Sequence, residues 1–316
     1  MGNNNSLTPE EVAEILKIKK HTVYELVKRG DLPAFRIGRK IRINPEDVDH
    51  YRQQDMTPVY NPLKSPTNTM ELMPEAEQRN DKNDLIICGQ DTILDILARQ
   101  IENSSNPVRV LRKHVGSFAG LLALYQGQAD IASAHLLDAD SGQYNLPYAR
   151  RLLPGIPVVI IHLAFRQQGF YVAAGNPLHI TDWADLALQP VRFINREPGC
   201  GARVLLDEKL RQLRIDRHSI NGYDEIATSH LAVASAVARG AADVGLGIQK
   251  AALQVRGLDF IPMQKEPYEL LICHDDIARP IMQQVIEVIN SSAFKNEVAG
   301  LGDYDLSMTG KITQLI

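Results

Sequence analysis

Residues 191–206 read VRFINREPGCGARVLL, a pattern typical of a buried strand that turns directly into a helix. Apolar residues alternate with polar ones before the turn, and leucines follow at helical spacing after it. Gly199 and Gly201 let the backbone approach a ligand closely, and the first helical turn offers unpaired N–H groups and a positive dipole end. Arg196 and Arg203 flank the turn and can form forked hydrogen bonds with an oxyanion. An ordinary strand-to-helix turn with two solvated arginines is the alternative interpretation.

The composition of the whole chain is that of a globular protein. Its 316 residues are 44% hydrophobic and 23% charged, which suits two or three domains. No apolar run is long enough to span a bilayer, and the N-terminus lacks a secretory signal, so we expect a cytoplasmic protein without a membrane partner. Three scattered cysteines and nine scattered histidines predict neither a disulfide framework nor a metal site.

The N-terminal region is basic although the chain has a net charge of −4. Nine lysines and arginines lie between Lys17 and Arg42, against Glu25 and Asp31. Thr8, with Glu11 three positions later, predicts a capping box that begins a short helix, and a second helix follows a tight basic turn. This is the pattern of a helix-turn-helix, whose second helix enters the major groove by its N-terminal end.

A β-hairpin with a basic tip follows the second helix, over AFRIGRKIRIN at residues 34–44. Its tip suits phosphate or minor-groove contact, as a wing beside the recognition helix. Asn44 and Pro45 then predict the start of a third helix that extends to Tyr51. The residues predicted to face DNA are Lys19, Lys20, His21, Thr22 and Tyr24 of the helix and Arg36, Arg39, Lys40 and Arg42 of the wing.

Residues 7–51 resemble the excisionase-type DNA-binding domain, a winged relative of the MerR family's helix-turn-helix. The matching segments are LTPEEVAEIL, TVYELVKRGDLPAFRIG and RINPEDV. The resemblance implies double-stranded DNA as a partner. The Lys19-Lys20-His21 segment departs from the usual serine cap, so a base preference is not carried over. A charged helical hairpin that binds a protein is the alternative.

The rest of the chain predicts an α/β domain after a linker. Residues 55–84 are polar and rich in proline, which predicts a partly extended linker between a DNA-binding domain at 1–54 and a second domain at 85–316. Strands and helices alternate from Leu85 onward, as in parallel βαβ units. Short strands are predicted at 158–164, 169–174, 258–263 and 268–275. Two successive α/β sets predict two lobes with a cleft at the carboxyl ends of the strands.

Three further turns have the same build as the one at Gly199. Gly89-Gln90, Gly116-Ser117 and Thr228-Ser229-His230 each join a strand to a helix, and converging helix N-termini with small hydroxyls suit a dehydrated oxyanion. Taken singly, the hydroxyl residues are the kind that cap helices. His135 either reaches the cleft or lies in the core. The residues predicted to bind a ligand are Gln90, Ser117, Arg196, Cys200, Gly201, Arg203, Thr228, Ser229 and His230.

Residues from about 85 to 272 are similar to the periplasmic-binding-protein-like domain that is attached to helix-turn-helix regulators and to molybdopterin-biosynthesis proteins. The similarity rests on GSFAGLLALYQGQADIASAHLLDADSGQYNLPY, QGFYVAAGNP, VRFINREPGCGARVLLD and HLAVASAVARGAADVGLGI. It implies a type II fold with a ligand between two lobes, and it suggests molybdate or tungstate. Many relatives read G-S-G-T-R where this chain has Cys200 and Ala202, so two hydroxyls are absent.

These features predict a one-component transcription regulator that binds DNA and senses a small anion, with no resident cofactor and no catalytic residue. A homodimer is expected, since paired half-sites are the usual way to read enough base pairs. The alternative is an enzyme of the lyase or dehydratase type, in which Cys200 at a helix N-terminus has a lowered thiol pKa. A transporter's solute-binding subunit fits the cleft but not the DNA-binding domain.

Overall fold

The computed structural model describes residues 6–29, 32–38, 40–45, 47–48, 51 and 84–315. The chain divides into two compact units, Met1–Leu72 and Met73–Ile316, and each is considered by itself. Apart from Asp84, the linker predicted at 55–84 lies outside the described residues, so the exact domain limits stay a prediction. Among the helices in the described ranges, none is long and apolar enough to cross a membrane.

The N-terminal unit contains two short helices and a hairpin. Its first helix begins at the predicted capping box: Thr8 Oγ1 accepts a hydrogen bond from the Glu11 amide at 3.3 Å, and the Glu11 carboxylate accepts one from the Thr8 amide at 2.7 Å. Lys17, in the left-handed region at φ 54°, ends this helix. The elements are α1 (Pro9–Leu16), α2 (Lys20–Arg29), β1 (Phe35–Ile37) and β2 (Lys40–Arg42).

A small apolar core joins these elements. The hairpin is held to the N-terminus by backbone hydrogen bonds between Leu7 and Ile43, at 2.8 and 3.0 Å. Helical backbone also occurs at Pro45, Asp47, Val48 and Tyr51, as predicted for the third helix. The buried residues of this core are Val12, Ala13, Val23, Leu26, Leu32, Ile43 and Val48.

The first lobe of the second unit is built from parallel βαβ units, as the alternation predicted. β3 pairs in parallel with β4 on one side and with β5 on the other. Its elements are β3 (Leu85–Cys88), α3 (Thr92–Glu102), β4 (Val110–Lys113), α4 (Ser117–Tyr125) and β5 (Ile131–Ala134), followed by β6 (Leu137–Asp138), β7 (Gln143–Tyr144) and α5 (Leu146–Leu152).

The second lobe repeats this arrangement. β9 pairs in parallel with β10 and with β11, and the stretch 191–206 supplies both β9 and the start of the following helix. A 16-residue strand, β8 (Val158–Ala173), leads into this lobe from the first. The elements after it are β9 (Phe193–Arg196), α6 (Gly201–Leu213), β10 (Ile226–Ala227), α7 (His230–Ala238), β11 (Val244–Ile248) and α8 (Gln249–Leu253).

The chain returns to the first lobe through a second 16-residue strand, β12 (Leu258–Cys273). β12 and β8 pair antiparallel along their length; β12 also pairs with β5 of the first lobe, and β8 with β11 of the second. Strands of both lobes thus form one sheet in the order β10-β9-β11-β8-β12-β5-β3-β4, whereas β6 and β7 pair separately as a small two-stranded sheet. The last elements, α9 (Pro280–Asn290), α10 (Ser292–Gly300) and β13 (Ile312–Leu315), belong to the first lobe, where β13 pairs with β8.

The prediction of two short strands in place of each long one was wrong. Polar residues interrupt the apolar pattern near Arg166 and Glu266, and such an interruption resembles a loop. The strands continue because these side chains satisfy one another: Arg166 Nε and Gln168 Nε2 each donate to Glu266 Oε1, at 3.1 Å. The buried polar pairs therefore lie inside the sheet, at the crossing between the lobes.

Candidate functional site

The N-terminal half of α2 presents a polar, basic surface. Lys19, Lys20, His21 and Thr22 are all exposed, and Tyr24 is 41% exposed. Lys20 forms an ion pair with Glu10, and its Nζ lies 5.9 Å from the centroid of the Tyr24 ring. The five residues predicted to face DNA from this helix are thus available at its surface.

The wing carries the remaining predicted DNA contacts. Arg36 and Lys40 are exposed on its two strands, and Gly38 takes up the left-handed conformation at the tip, with φ 60°. Arg42 is only partly exposed and donates a hydrogen bond to the Ser6 carbonyl at 3.4 Å. Arg39 lies outside the described residues.

In the second unit, the first turns of α4, α6 and α7 meet at a small, partly open cavity between the lobes. Its volume is about 20 Å³, which leaves room for one small group. Six residues predicted to bind a ligand line this cavity: Gln90, Ser117, Arg196, Cys200, Gly201 and His230. His135, which sequence alone left undecided, lines it too.

Hydrogen-bond donors face this cavity without protein acceptors. The first N–H groups of a helix have no intrahelical partner, and Ser117, Gly201 and Ala202 stand in such first turns. Ser117 is 4% exposed, and its hydroxyl forms no hydrogen bond with any residue that the structure describes. His230 also lines the cavity, and its buried Nδ1 atom, which lies beside Gly247, lacks a partner among the described residues. The helix N–H groups and the Ser117 hydroxyl suit an anion, which accepts hydrogen bonds only.

Arg196 connects the two lobes at the cavity wall. The residue is 2% exposed, and its guanidinium donates to both carboxylate oxygens of Glu197, each at 2.8 Å. It also donates to Gln90 Oε1 of the first lobe at 2.6 Å. The charge of Arg196 is therefore already balanced by a neighbouring carboxylate, which leaves the ligand to be held largely by neutral donors.

A second buried arginine, Arg166, reaches the cavity from the crossing strand β8. Its guanidinium bonds to Glu266 and Asp91 at 2.5 Å each and stacks 4.0 Å from the centroid of the Tyr268 ring. Glu266 also bonds to His135 Nδ1 at 2.9 Å. Burial favours the neutral acid, but His135 and Arg166 hold the pKa of Glu266 below its ordinary value.

Sequence reasoning missed this part of the site. Arg166, Ser133 and Tyr268 line the cavity, and Glu266 and Asp91 hold Arg166 in place. Polar residues inside otherwise apolar strands were the available signal. A charged residue inside an apolar strand is buried, and it therefore needs a partner of opposite charge. A buried ion pair at the crossing between two lobes is a candidate for a functional site.

Arg203 does not reach the cavity, contrary to the prediction. Its guanidinium donates to Asp207 at 3.2 Å and to the Arg196 carbonyl at 3.2 Å, and it stacks 4.0 Å from the centroid of the Tyr223 ring. The Arg203 side chain therefore points back toward its own lobe, where its hydrogen bond to the Arg196 carbonyl stabilises the turn that follows β9.

Cys200 does not have the environment of a nucleophile. It caps α6, with Sγ accepting a hydrogen bond from the Arg203 amide at 3.4 Å. Burial raises the pKa of its thiol to about 11, which does not support the alternative enzyme hypothesis, in which this pKa is lowered. Within the described residues, no cluster of histidines, cysteines and carboxylates is arranged to hold a metal ion.

A larger pocket adjoins the cavity. Its volume is 710 Å³, and it shares Gln90, Val115, Gly116 and His230 with the cavity wall. Thr228 and Ser229 line this outer pocket rather than the cavity. Ser229 has a capping role as well, because its Oγ accepts from the Ala232 amide at 3.0 Å.

The two lobes touch around the cavity. The Phe118 amide of the first lobe donates to the Gly199 carbonyl of the second at 3.0 Å. A Cβ atom at Gly116 would lie 3.0 Å from Cys200 Cα, and one at Gly201 would lie 2.3 Å from His135 Cε1. Both glycines are thus required for close approach, and the cleft is in a closed arrangement.

Comparison with known proteins agrees with this architecture. Residues 98–290 match the family model described as PBP superfamily domain. The chain belongs to the PBP superfamily. Residues 6–56 match a second family model, described as Helix-turn-helix domain. The predicted union of an excisionase-type helix-turn-helix domain with a periplasmic-binding-protein-like domain of α/β fold is thereby confirmed. Both families consist of binding domains.

Two proteins are similar to this chain in sequence, and one solved structure is similar to it in fold. The chain is 40% identical to the uncharacterized protein YvgK of Bacillus subtilis over 313 residues, 99% of each chain. It is also similar to a Mycobacterium tuberculosis protein whose name describes it as DNA-binding, with 48% identity over 42 residues. This match covers 13% of this chain and 54% of that protein. A solved structure from Clostridium perfringens, described as a phosphate ABC transporter substrate-binding protein with bound phosphate, has the same fold. The TM-score is 0.54 at 14% sequence identity, and the match covers 71% of this chain and 99% of that one.

Proposed function

We propose that this protein is a ligand-responsive transcription regulator. Its helix-turn-helix domain would bind operator DNA, and its two-lobed domain would bind a small oxyanion in the closed cleft. The observation that carries the proposal is the small cavity between the lobes, where the Ser117 hydroxyl has no hydrogen-bond partner among the described residues and the first turns of two helices supply unpaired N–H groups. An oxyanion supplies the acceptors that these donors lack.

The DNA-binding part of the proposal rests on the N-terminal unit. Lys19, Lys20 and His21 are exposed at the start of α2, as a recognition helix requires, and Arg36 and Lys40 are exposed on the wing. The likeness of this region to a protein named as DNA-binding supports the same function.

We propose that the group bound in the cavity is a tetrahedral oxyanion of the kind that molybdate and tungstate represent, whether free or as part of a larger ligand. The cavity suits a compact group in size, and the arginines near it are paired with carboxylates, so binding depends on neutral donors. Cys200 and Ala202 contribute no hydroxyl donors, but the Gly201 and Ala202 amides are retained in the first turn of α6.

Regulation follows from a ligand that contacts both lobes at once. Such a ligand stabilises the closed arrangement over an open one by its differential affinity for the two. We propose a homodimer in which this change alters the placement of two DNA-binding domains. A gel-shift titration of the full-length protein with a specific operator, with and without molybdate or tungstate, tests the scheme. No specific retention of DNA at any salt concentration would refute it.

Arg196→Ala tests the ligand site. We expect this substitution to abolish oxyanion binding in calorimetry, because Gln90 and Glu197 lose the group that orients them. Arg192→Ala is the matched control, since Arg192 belongs to the same segment and is also paired with a carboxylate, Asp243 at 2.7 Å, but lines neither the cavity nor the pocket beside it. Equal loss of affinity in both variants, or none in Arg196→Ala, would place the site elsewhere.

A further inference from the structure

We propose that the oxyanion group in the cavity belongs to an organic molecule, whose remaining part occupies the outer pocket. The ligand class is thus an organic phosphate or a chemically similar monoester with an uncharged, largely apolar body. The inference rests on the proposed oxyanion site and names the class of its ligand.

The sizes of the two spaces support this division. The cavity suits one compact group, whereas the outer pocket has a volume of 710 Å³, within the range of roughly 300–1,000 Å³ that holds organic ligands. Gln90, Val115, Gly116 and His230 line both spaces. A molecule with its head group in the cavity therefore has its body directed into the pocket. A free inorganic oxyanion would leave the pocket without a role.

The walls of the pocket define the chemistry of the body. Its charged groups are already matched: Glu197 by Arg196, Asp91 by Arg166, and Lys250 by Asp303 at 3.8 Å. A charged body would have to be desolvated there without a free partner, which is unfavourable.

Apolar side chains form much of the remaining wall. Leu231, in the first turn of α7, is 48% exposed although it lines the pocket, and Ala119, Ile248 and Ala251 lie around the same space. Burial of this exposed leucine surface by an apolar part of a ligand would be favourable, because apolar surface would be removed from water. Thr228 and Ser229 add hydroxyl groups to the lining of the same pocket.

Calorimetry with two probes that share a head group tests the proposal. Inorganic phosphate carries the head alone, and phenyl phosphate carries it with an apolar ring. We expect the full-length protein to bind phenyl phosphate about tenfold or more tightly than inorganic phosphate, because the ring buries apolar surface in the outer pocket.

The variant Leu231→Asn should remove most of this tenfold advantage while the affinity for inorganic phosphate stays the same. Leu213→Asn is the matched control, because Leu213 is a helical leucine of nearly equal exposure, 49%, and lines neither space. It should leave both affinities unchanged.

The outcomes separate this inference from the proposed function. Equal affinities for the two probes, or equal effects of the two leucine variants, would overturn the inference and leave an inorganic oxyanion site intact. Absence of binding by phosphate, phenyl phosphate, molybdate and tungstate would overturn the inference together with the oxyanion site.

Discussion

Ser117 and Ser229 stand at the beginnings of helices beside the cleft, but their hydroxyls are used differently. Ser229 Oγ accepts a hydrogen bond from the amide of Ala232, which is the usual role of an N-cap. Ser117 lines the cavity and is 4% exposed, and its hydroxyl has no hydrogen-bond partner among the described residues. One serine therefore stabilises a helix, and the other is available to a ligand.

Alanine substitution should separate these two roles. We expect Ser117→Ala to weaken oxyanion binding about tenfold or more, because a hydrogen bond to a charged group is lost. The unliganded protein should unfold at nearly the same temperature, since no protein hydrogen bond is removed. Ser229→Ala should instead lower the free energy of unfolding by about 1 kcal/mol through loss of the cap. Calorimetry and thermal unfolding measure both, and a stability loss in Ser117→Ala as large as in Ser229→Ala would contradict the assignment.

At the scale of elements, the crossing of β8 and β12 holds a cluster of ionisable groups. Arg166 of β8 and Glu266 of β12 meet His135, which follows β5, and His230 begins α7 on the other side of the cavity. Burial lowers the pKa of His135, and burial together with Arg196 and Arg166 holds the pKa of His230 well below its ordinary value. Both shifts favour the neutral imidazole in the folded protein, although the Glu266 carboxylate opposes the lowering of the His135 pKa.

This cluster predicts a loss of stability in mild acid. Below the ordinary histidine pKa of about 6.5, the unfolded chain takes up protons that the folded chain does not, so the free energy of unfolding falls as the pH falls. The lowered pKa of Glu266 adds a further loss at more acidic pH, as the pH falls through its folded value. Urea unfolding between about pH 7 and pH 5 measures the slope.

His230→Gln should flatten this pH dependence, because it removes one of the two neutral histidines. His218→Gln is the control, since His218 is exposed. Identical slopes in the two variants would show that His230 does not carry the effect.

The recognition helix and the wing should differ in what they contribute to DNA binding. We expect His21→Ala to relax base selection, because His21 is exposed at the N-terminal end of α2. Arg39→Ala should weaken binding to all sequences and flatten its salt dependence, as loss of a phosphate contact does. Titrations of specific and random DNA at several salt concentrations compare them. If both variants affected the two DNAs equally, the placement of the recognition helix would be wrong.

At the scale of the second unit, the closed cleft depends on contacts between the lobes. Gly116 lies against Cys200, Gly201 lies against the His135 ring, and Phe118 is hydrogen-bonded to Gly199. The residues that line the cavity come from both lobes, so the ligand site is complete only when the lobes are together. In the proposed scheme, ligand binding and lobe closure would therefore be one equilibrium.

Gly116→Val should shift this equilibrium toward an open arrangement. A side chain there would meet Cys200 Cα at 3.0 Å, and the easiest relief is separation of the lobes. We expect at least a tenfold loss of oxyanion affinity, a larger radius of gyration by small-angle scattering, and no ligand effect in the gel shift. Gly300→Val is the control, because a Cβ atom at Gly300 meets nothing within 4 Å. Unchanged affinity in Gly116→Val would mean that closure is not needed for binding.

Local sequence patterns were sufficient to predict the elements that are stabilised by contacts between residues close together in the chain. The capping box at Thr8, the helix-turn-helix spacing and the strand-turn-helix of residues 191–206 each depend on contacts within a few positions. The same locality placed Gln90, Ser117, Cys200, Gly201 and His230 at helix starts, and these are the residues that meet at the cavity.

The sequence by itself determined the union of a helix-turn-helix domain with a two-lobed α/β domain, and the turns at which an anion could be held. Only the tertiary structure decided that Arg196 lines the cavity and Arg203 does not, because the direction of each side chain depends on partners such as Gln90 and Tyr223. It likewise decided that Arg166 and Glu266 belong to the site. Their pairing across 100 residues leaves no periodic trace in the chain, since a buried charge is stabilised by whichever partner the fold brings to it.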